Sequence, residues 1–198
     1  MIAKNIAIFD LDGTITQKDT FLEFIKFTHG RWGLYLGFLV NFIYFVAFFL
    51  KIYPNYALKE RFFSFFYKNK NEKKLLTLGK KFAQEQLPLL CTGKAATYLT
   101  QHQAQRDTIV ILTASSDLWL QAWCTKNNFV LIATHFEVIE EKFTGKILGK
   151  NCHGQEKVQR LIQQVDLSQY ECSYGYGNSM SDSYFINLCT QKKLCKKS

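Results

Sequence analysis

The sequence predicts an α/β fold in which a parallel sheet, flanked by helices, is interrupted by an all-helical insertion. Three observations lead to this prediction. The chain opens on a short apolar run, residues 6–9, that is typical of a buried strand. Residues 17–88 then carry helical patterns rich in Phe and Tyr, and residues 89–198 return to alternating strand and helix patterns. With 198 residues, 47% of them hydrophobic, the chain can bury a sizeable core.

Two units follow from this order. We expect residues 1–16 and 89–198 to form the α/β core, and residues 17–88 to form a helical cap inserted after the first strand. The cap patterns predict four helices, at residues 17–29, 32–52, 55–68 and 71–87. In the core, the predicted strands are 108–112, 129–133 and 172–176, the predicted helices are 117–127, 155–165 and 182–189, and residues 136–147, with Thr144-Gly145, predict a hairpin.

Two carboxylates, Asp10 and Asp12, directly follow the first strand and precede Gly13 and Thr14. Ligands of open α/β sheets bind at the carboxyl ends of the strands. Two acids placed there need a cation to offset their charge, and hard oxygen ligands suit Mg²⁺. The sequence therefore predicts a divalent cation site, and the simpler alternative is an acidic turn.

Three further segments carry groups suited to a phosphate site. Thr113 ends the second strand, and the backbone amides of Ala114 and Ser115 follow it, although Ser115 or Ser116 could instead only cap the next helix. Lys157 falls in the first turn of a helix, where a cation opposes the helix dipole and needs an anionic partner. Gly177-Asn178 and Asp182 follow the last strand and are candidates for further oxygen ligands, the alternative being an ordinary Gly-Asn turn in which Asp182 caps the next helix.

The order of these segments resembles the four motifs of the haloacid dehalogenase superfamily, and the insertion resembles the cap of its phosphoserine-phosphatase-like subfamily IB. Residues 152–158 and 175–182 are most similar to phosphatidylglycerophosphatase C-like hydrolases. The resemblance implies a Rossmann-like core with an inserted helical cap. It also implies a Mg²⁺-dependent phosphatase that forms an aspartyl-phosphate intermediate.

By this resemblance, Asp10 is the nucleophile and Asp12 the general acid and base. Thr113, Ala114, Ser115 and Lys157 bind the phosphoryl oxygens. The metal is held by Asp10, the Asp12 carbonyl, Asp182 and Asn178. The family usually has Asp at position 178, so Asn178 predicts weaker Mg²⁺ binding. The family also continues into a final strand, and the short polar sequence after Cys189 predicts that this strand is missing and leaves an exposed sheet edge.

Charge and hydropathy raise the question of a membrane partner. Residues 17–88 hold twelve Lys/Arg and five Asp/Glu, which is seven of the nine net positive charges. Residues 32–50 contain one strongly polar side chain, Asn41, between Arg31 and Lys51. A straight helix of this length would be about 28 Å long and apolar on all sides. It predicts a buried cap helix, a homodimer interface, a helix lying in the plane of an anionic membrane surface, or half of a re-entrant hairpin with residues 55–67.

Several functional alternatives remain at this level. The substrate is a phosphorylated lipid, such as phosphatidylglycerophosphate, or a phosphorylated small molecule such as phosphoserine, for which Glu23, Lys26 and Arg31 are candidate cap contacts. A protein that binds phosphate without turnover is the rival from another class. No module typical of nucleic-acid binding is present in the sequence. Six cysteines without a C-x-x-C pair, and no recognisable signal peptide, predict a cytoplasmic protein, peripheral on the inner membrane face if it contacts lipid.

Overall fold

The computed structural model describes residues 5–195 and contains a five-stranded sheet in which every neighbouring pair is parallel. Its strands are β1 (Asn5–Phe9), β2 (Thr108–Ser116), β3 (Val130–Thr134), β6 (Cys172–Gly177) and β7 (Gln191–Leu194). They lie in the order β3-β2-β1-β6-β7. A separate antiparallel pair consists of β4 (Phe136–Ile139) and β5 (Lys142–Ile147). The predicted fold class is confirmed.

Nine α-helices and one short 3₁₀ helix, Leu167–Gln169, occur in residues 5–195. The first four, in the insertion, are α1 (Thr20–Val40), α2 (Phe42–Phe49), α3 (Asn55–Tyr67) and α4 (Glu72–Glu85). The others are α5 (Leu87–Leu90), α6 (Lys94–Gln105), α7 (Asp117–Lys126), α8 (Gln155–Gln164) and α9 (Ser183–Ile186). The last of these is shorter than the helix expected at 182–189. The chain leaves and re-enters the core at one place, because the Gly93 amide donates a hydrogen bond to the Ile15 carbonyl at 2.9 Å.

The central strand β1 is covered on both faces, which is why its sequence is an uninterrupted apolar run. Ala7 and Phe9 belong to one buried cluster, and Ile6 and Ile8 belong to a second. The first cluster extends into the cap, where Phe21 stacks on Trp119 of α7 with ring centroids 5.5 Å apart. Aromatic packing therefore holds the cap against the first turn of α7, which follows the carboxyl end of β2.

The hairpin predicted at residues 136–147 is present, but its turn is not at Thr144-Gly145. The turn is formed by Glu140 and Glu141, which both have positive φ angles, of 50° and 58°. Gly145 lies inside β5 against the cap, where its carbonyl accepts a hydrogen bond from Ser64. Gly145 was wrongly predicted to lie in the turn, because glycine is favoured both in turns and where two backbone segments approach closely.

The final strand, predicted to be missing, is present as β7. It pairs with β6 in parallel register, with Tyr174 opposite Gln191. Thr190 and Ser173 exchange backbone-to-hydroxyl hydrogen bonds of 2.9 and 3.0 Å that align the two segments. The prediction was wrong because all residues of β7 are exposed, so that no apolar alternation marks the strand. Residues 196–198 of the basic tail lie outside the described part of the chain.

The helix predicted at residues 32–52 is not continuous. Gly30, with φ of 73°, interrupts α1 close to the expected boundary, and α1 and α2 meet at Asn41 with a 65° bend. Asn41 is buried, and its side-chain amide donates to the Gly37 carbonyl at 2.8 Å. We call residues 32–52 the apolar elbow. Among the described residues, no helix by itself has the length and apolarity to cross a membrane, although α1 and α2 together pass that test across their bend.

The apolar elbow is buried on one side only. Phe38 and Phe45 pack on Phe62 of α3, with ring centroids 5.1 and 5.2 Å away. On the other side, Trp32 is 84% exposed and Ile43 is 76% exposed. The prediction of a fully buried cap helix is therefore wrong for this chain by itself, since the segment carries more apolar surface than the cap can cover.

Candidate active site

The first acid of the site continues the sheet beyond β1. The Asp10 amide donates to the Tyr176 carbonyl at 2.9 Å, so the residue is held at the carboxyl end of the two central strands. Its Oδ2 accepts a hydrogen bond from Thr14 Oγ1 at 3.0 Å. Burial raises the pKa of Asp10, although Lys157 beside it acts in the opposite direction. The carboxylate is thus oriented by Thr14 and Lys157, while strand β6 holds the backbone of Asp10.

Lys157 connects the acids of two different segments. Its Nζ lies 2.6 Å from Asp10 Oδ1 and 2.8 Å from Asp182 Oδ1, and the side chain is 2% exposed. Burial alone would lower the pKa of Lys157, but the two carboxylates outweigh it and hold the pKa above its ordinary value. The sequence predicted that a lysine in the first turn of α8 needs an anionic partner, and Lys157 has two, Asp10 and Asp182.

Asp12 has different surroundings from Asp10. Its Oδ1 accepts from the Thr20 amide at 2.7 Å, and its Oδ2 accepts from Ser115 Oγ at 2.5 Å. Burial, with the nearby charge of Asp19, raises the pKa of Asp12 to about 7. A carboxyl group with this pKa can hold or release a proton near neutral pH, which is what a general acid and base requires.

The hydroxyl groups at the end of β2 have different partners: those of Thr113 and Ser115 belong to the cavity, and that of Ser116 caps α7. Thr113 is 1% exposed, and its Oγ1 accepts from the Ser115 amide at 3.0 Å, so its own hydrogen can point to a ligand. Ser116 caps α7 by accepting from the Leu118 amide, as the capping alternative predicted. Ser115 does not cap the helix, because its hydroxyl binds Asp12 and Thr20.

The loop after β6 is built around Asp182. Its Oδ2 accepts hydrogen bonds from the amides of Asn178 and Ser179 and from Ser179 Oγ, at 3.2, 3.0 and 2.6 Å. Lys157 and these donors lower the pKa of Asp182 despite its burial. Gly177 is required for this close approach, because a Cβ at that position would lie 2.5 Å from the Asp182 Cβ. The Asn178 side chain donates through Nδ2 to the Asp12 carbonyl at 3.2 Å.

The chemistry of these donors fits a magnesium ion. Within residues 5–195, no group of three or more His, Cys, Asp or Glu side chains is arranged to hold a metal. The carboxylates of Asp10 and Asp182 nevertheless lie close together, because both bind the Lys157 ammonium. The Asp12 carbonyl and the Asn178 side chain, which bond to each other, belong to the same cavity. Because Mg²⁺ binds proteins through one or two carboxylates and keeps several waters, this oxygen set suits it.

All eight predicted site residues line one cavity of about 490 Å³ between the core and the cap. They are Asp10, Asp12, Thr113, Ala114, Ser115, Lys157, Asn178 and Asp182. The sequence therefore predicted which residues meet at the strand ends. Their roles in a reaction stay predictions at this point.

The cap contacts were predicted less well. Glu23, Lys26 and Arg31 are not among the residues that line this cavity, and Glu23 and Lys26 instead form an ion pair of 3.0 Å with each other. The cap residues that do line it include Asn55 and Lys59, from the first turns of α3. No motif marks them, because their place depends on how the cap docks.

Lys59 is the main site residue that the sequence did not reveal. Its Nζ donates to the Ala114 carbonyl at 2.6 Å and to Asn151 Oδ1 at 3.0 Å. Burial lowers its pKa to about 8, against the opposing influence of Asp19 and Asp12. Lys59 thus brings a cap cation to the loop at the end of β2, which the sequence predicts to bind phosphate.

Comparison with known proteins agrees with this geometry. Residues 7–186 match the family model for haloacid dehalogenase-like hydrolases, which spans every site residue described above. Protein CicA of Caulobacter vibrioides (strain NA1000 / CB15N) is 27% identical over 190 residues, which cover 94% of this chain and 84% of CicA.

Solved structures share the fold at low sequence identity. A protein of unknown function from Bordetella pertussis Tohama I superposes with a TM-score of 0.80 at 20% identity, covering 96% of this chain and 89% of that one. A phosphoserine phosphatase, solved as an analogue of its phospho-aspartyl intermediate, gives a TM-score of 0.59 at 16% identity, covering 98% of this chain and 88% of that one. The cap and core together therefore form a known combination.

Proposed function

Because the chain belongs to the haloacid dehalogenase-like hydrolases, we propose that it is a phosphatase that cleaves phosphomonoesters through Asp10. One observation carries the proposal: the buried Lys157 ammonium holds Asp10 and Asp182 together in a cavity that is also lined by groups suited to bind phosphate. A phosphoryl group entering there meets a nucleophile, a fixed cation and the hydroxyl of Thr113.

The reaction proceeds in two steps. In the first, an Asp10 oxygen attacks phosphorus, the ester bond breaks, and protonated Asp12 gives its proton to the leaving alcohol oxygen. In the second, Asp12 takes a proton from a water molecule that attacks the aspartyl-phosphate, which releases phosphate and restores Asp10. The pKa of about 7 supports both roles of Asp12, since neither protonation state is strongly disfavoured near neutral pH.

We propose Mg²⁺ as the cofactor, as hydrolases of this family generally use it. Asp10, the Asp12 carbonyl, Asp182 and Asn178 would hold the ion. When bound, it offsets the repulsion between the Asp10 carboxylate and the phosphate. The protein itself supplies the orientation, because Ser179 and the amide of Asn178 fix Asp182 before any ligand arrives.

Two classes of substrate are proposed for this site. A lipid phosphate such as phosphatidylglycerophosphate is supported by the exposed apolar elbow, which precedes the cavity residue Asn55 in the chain. A small soluble ester such as phosphoserine is supported by the charged cavity wall, where Lys59 can pair with a carboxylate. The elbow favours the lipid, because a soluble substrate gives those exposed side chains no role.

Phosphate release distinguishes these proposals. We would assay the purified protein with Mg²⁺ on phosphatidylglycerophosphate micelles and on soluble phosphomonoesters, including phosphoserine. Asp10→Asn is the blank, and we expect it to lose at least about 10⁴-fold in turnover because no nucleophile remains. Binding of phosphate by wild-type protein without turnover of any ester above this blank would support the rival, a non-catalytic phosphate-binding protein.

A further inference from the structure

We propose that the apolar elbow is a docking surface for an anionic lipid bilayer, into which the outer faces of α1 and α2 insert. This inference goes beyond the proposed hydrolysis and does not depend on it. It rests on the distribution of exposed apolar side chains, on the charge around them and on the way the bend is built.

Exposed apolar residues are concentrated in this one segment. Eleven of the 24 large apolar side chains that are exposed in residues 5–195 lie within residues 32–52. Trp32, Leu36 and Leu39 recur at helical spacing on α1, and Ile43, Val46 and Phe49 do so on α2. We call these six exposed side chains the outer stripe of the elbow. Soluble monomers rarely expose apolar patches of this extent without a partner.

The elbow has the properties needed to enter the interfacial layer of a bilayer. Its helices satisfy their own backbone groups, and Asn41, its buried polar residue at the bend, is bonded internally to the Gly37 carbonyl. Aromatic side chains such as Trp32 and Tyr35 are common at the depth of lipid head groups. The 65° bend lets two short apolar helices lie along a surface rather than cross it.

Charge selects an anionic lipid surface over a second copy of this chain. The elbow contains no Asp or Glu, the exposed Arg31 immediately precedes it, and the exposed Lys51 lies near its end. Arg61 adds a further cation, which stacks over the Tyr44 ring at 3.6 Å. A symmetric dimer through this patch would bring identical positive charges together, whereas anionic lipids attract each of them.

The side of the elbow that packs on α3 holds the opposite, apolar side in contact with solvent. Phe38 and Phe45 pack on Phe62, and Gly37 packs so tightly on Phe66 that a Cβ there would lie 2.3 Å from its ring. The elbow is thereby held to α3, whose first turns carry Asn55 and Lys59 into the cavity. A docked elbow would therefore fix the orientation of the cap relative to the lipid surface.

Vesicle co-flotation tests the proposal with the full chain and no substrate. We expect the protein to float with phosphatidylcholine vesicles that contain phosphatidylglycerol, to float poorly with phosphatidylcholine alone, and to be released by high salt. Changing Trp32, Leu39 and Ile43 together to Ser should weaken partition by about 100-fold or more. The matched control changes three exposed apolar residues elsewhere, Leu89, Ile139 and Ile162, to Ser and should bind as the wild type does.

Tryptophan fluorescence gives a second, independent measurement. Trp119 and Trp123 are buried, whereas Trp32 is 84% exposed, so a blue shift on adding anionic vesicles reports Trp32 entering lipid. The Trp32→Phe variant should lose this shift and keep co-flotation. The Asp10→Asn variant should dock normally, which separates failure of docking from failure of catalysis. The proposal is overturned if no vesicle binds, if the three-serine variant binds equally, or if light scattering shows a dimer that the three-serine change disperses.

Discussion

The active site and the apolar elbow differ in how completely the chain satisfies its own side chains. In the site, each acid already has its partners: Lys157 bridges Asp10 and Asp182, and Ser115 and Thr20 hold Asp12. In the elbow, the outer stripe is left largely uncovered by the described residues 5–195. The site is therefore preorganised before a ligand arrives, whereas the apolar side chains of the elbow can be buried only against another molecule. Substitutions should accordingly affect folding in the first region and association in the second.

The largest effect on stability is expected at Lys157. Lys157→Met removes the ammonium that lies 2.6 Å from Asp10 and 2.8 Å from Asp182. The two buried carboxylates then have only neutral hydrogen-bond donors as partners. We expect the free energy of unfolding to fall by about 3 kcal/mol, measured by urea denaturation, and phosphate release to fall by about 10³-fold. Mg²⁺ should restore part of the stability. A variant as stable as the wild type without metal would show that the acids are not coupled through Lys157.

A smaller, substrate-dependent effect is expected at Lys59. Lys59→Met removes the cap cation bonded to the Ala114 carbonyl, so KM should rise about tenfold for a substrate with an anionic leaving group, while kcat changes less. Lys26→Met is the matched control, since Lys26 pairs with Glu23 away from the cavity. Equal KM changes in the two variants would mean that Lys59 does not contact the substrate.

Asp12 gives a pH-dependent prediction for the metal-free protein. Its pKa is about 7 when folded, against 3.8 as the ordinary value, so the folded state holds this proton more tightly than the unfolded state does. The resulting stabilisation is complete below about pH 4 and is lost as the pH rises through 7. Because Asp12 is only half-buried and solvent screens part of this shift, we expect Asp12→Asn to be more stable than the wild type at pH 8 by about 1–2 kcal/mol, with little such gain at pH 4. Thermal unfolding at the two pH values measures the difference, and an equal effect at both would contradict it.

The smallest effect on stability is expected in the elbow. The three-serine variant of Trp32, Leu39 and Ile43 changes only exposed side chains, so each substitution should alter the free energy of unfolding by no more than about 0.5 kcal/mol. Urea denaturation in the absence of lipid provides the measurement. A large loss would mean that the stripe supports the cap itself, and the contrast between the two regions would disappear.

How well the sequence predicted each region depends on whether the signal was local. The eight site residues were predicted because the carboxyl ends of parallel strands meet, so short motifs far apart in the chain fall in one cavity. Lys59 was not predicted, because its position depends on the docking of α3 rather than on any motif around it. β7 was missed for a related reason: Gln191–Leu194 has no apolar face, and Thr190 places the strand through bonds to Ser173.

The cap shows the same limit in its helices. The break expected between residues 29 and 32 is present at Gly30. The second break, at Asn41, depends on a side chain that bonds to its own helix and on aromatic packing against Phe62. Hydropathy alone predicted a long apolar helix there and could not distinguish the packed face from the exposed one. The choice between them is made by tertiary contacts.

The polar character that concealed β7 has a consequence for how this protein behaves at high concentration. An outermost strand presents unpaired amides and carbonyls on which the strand of another molecule can add. Here that strand is only four residues long and carries Lys192 and Lys193 at its middle, with all four side chains exposed. Any two molecules that align these strands would bring their lysines together, so repulsion opposes edge-to-edge aggregation. The β7 edge of the sheet is thus protected from strand addition by Lys192 and Lys193, the same polar residues that made this strand impossible to predict from apolar alternation.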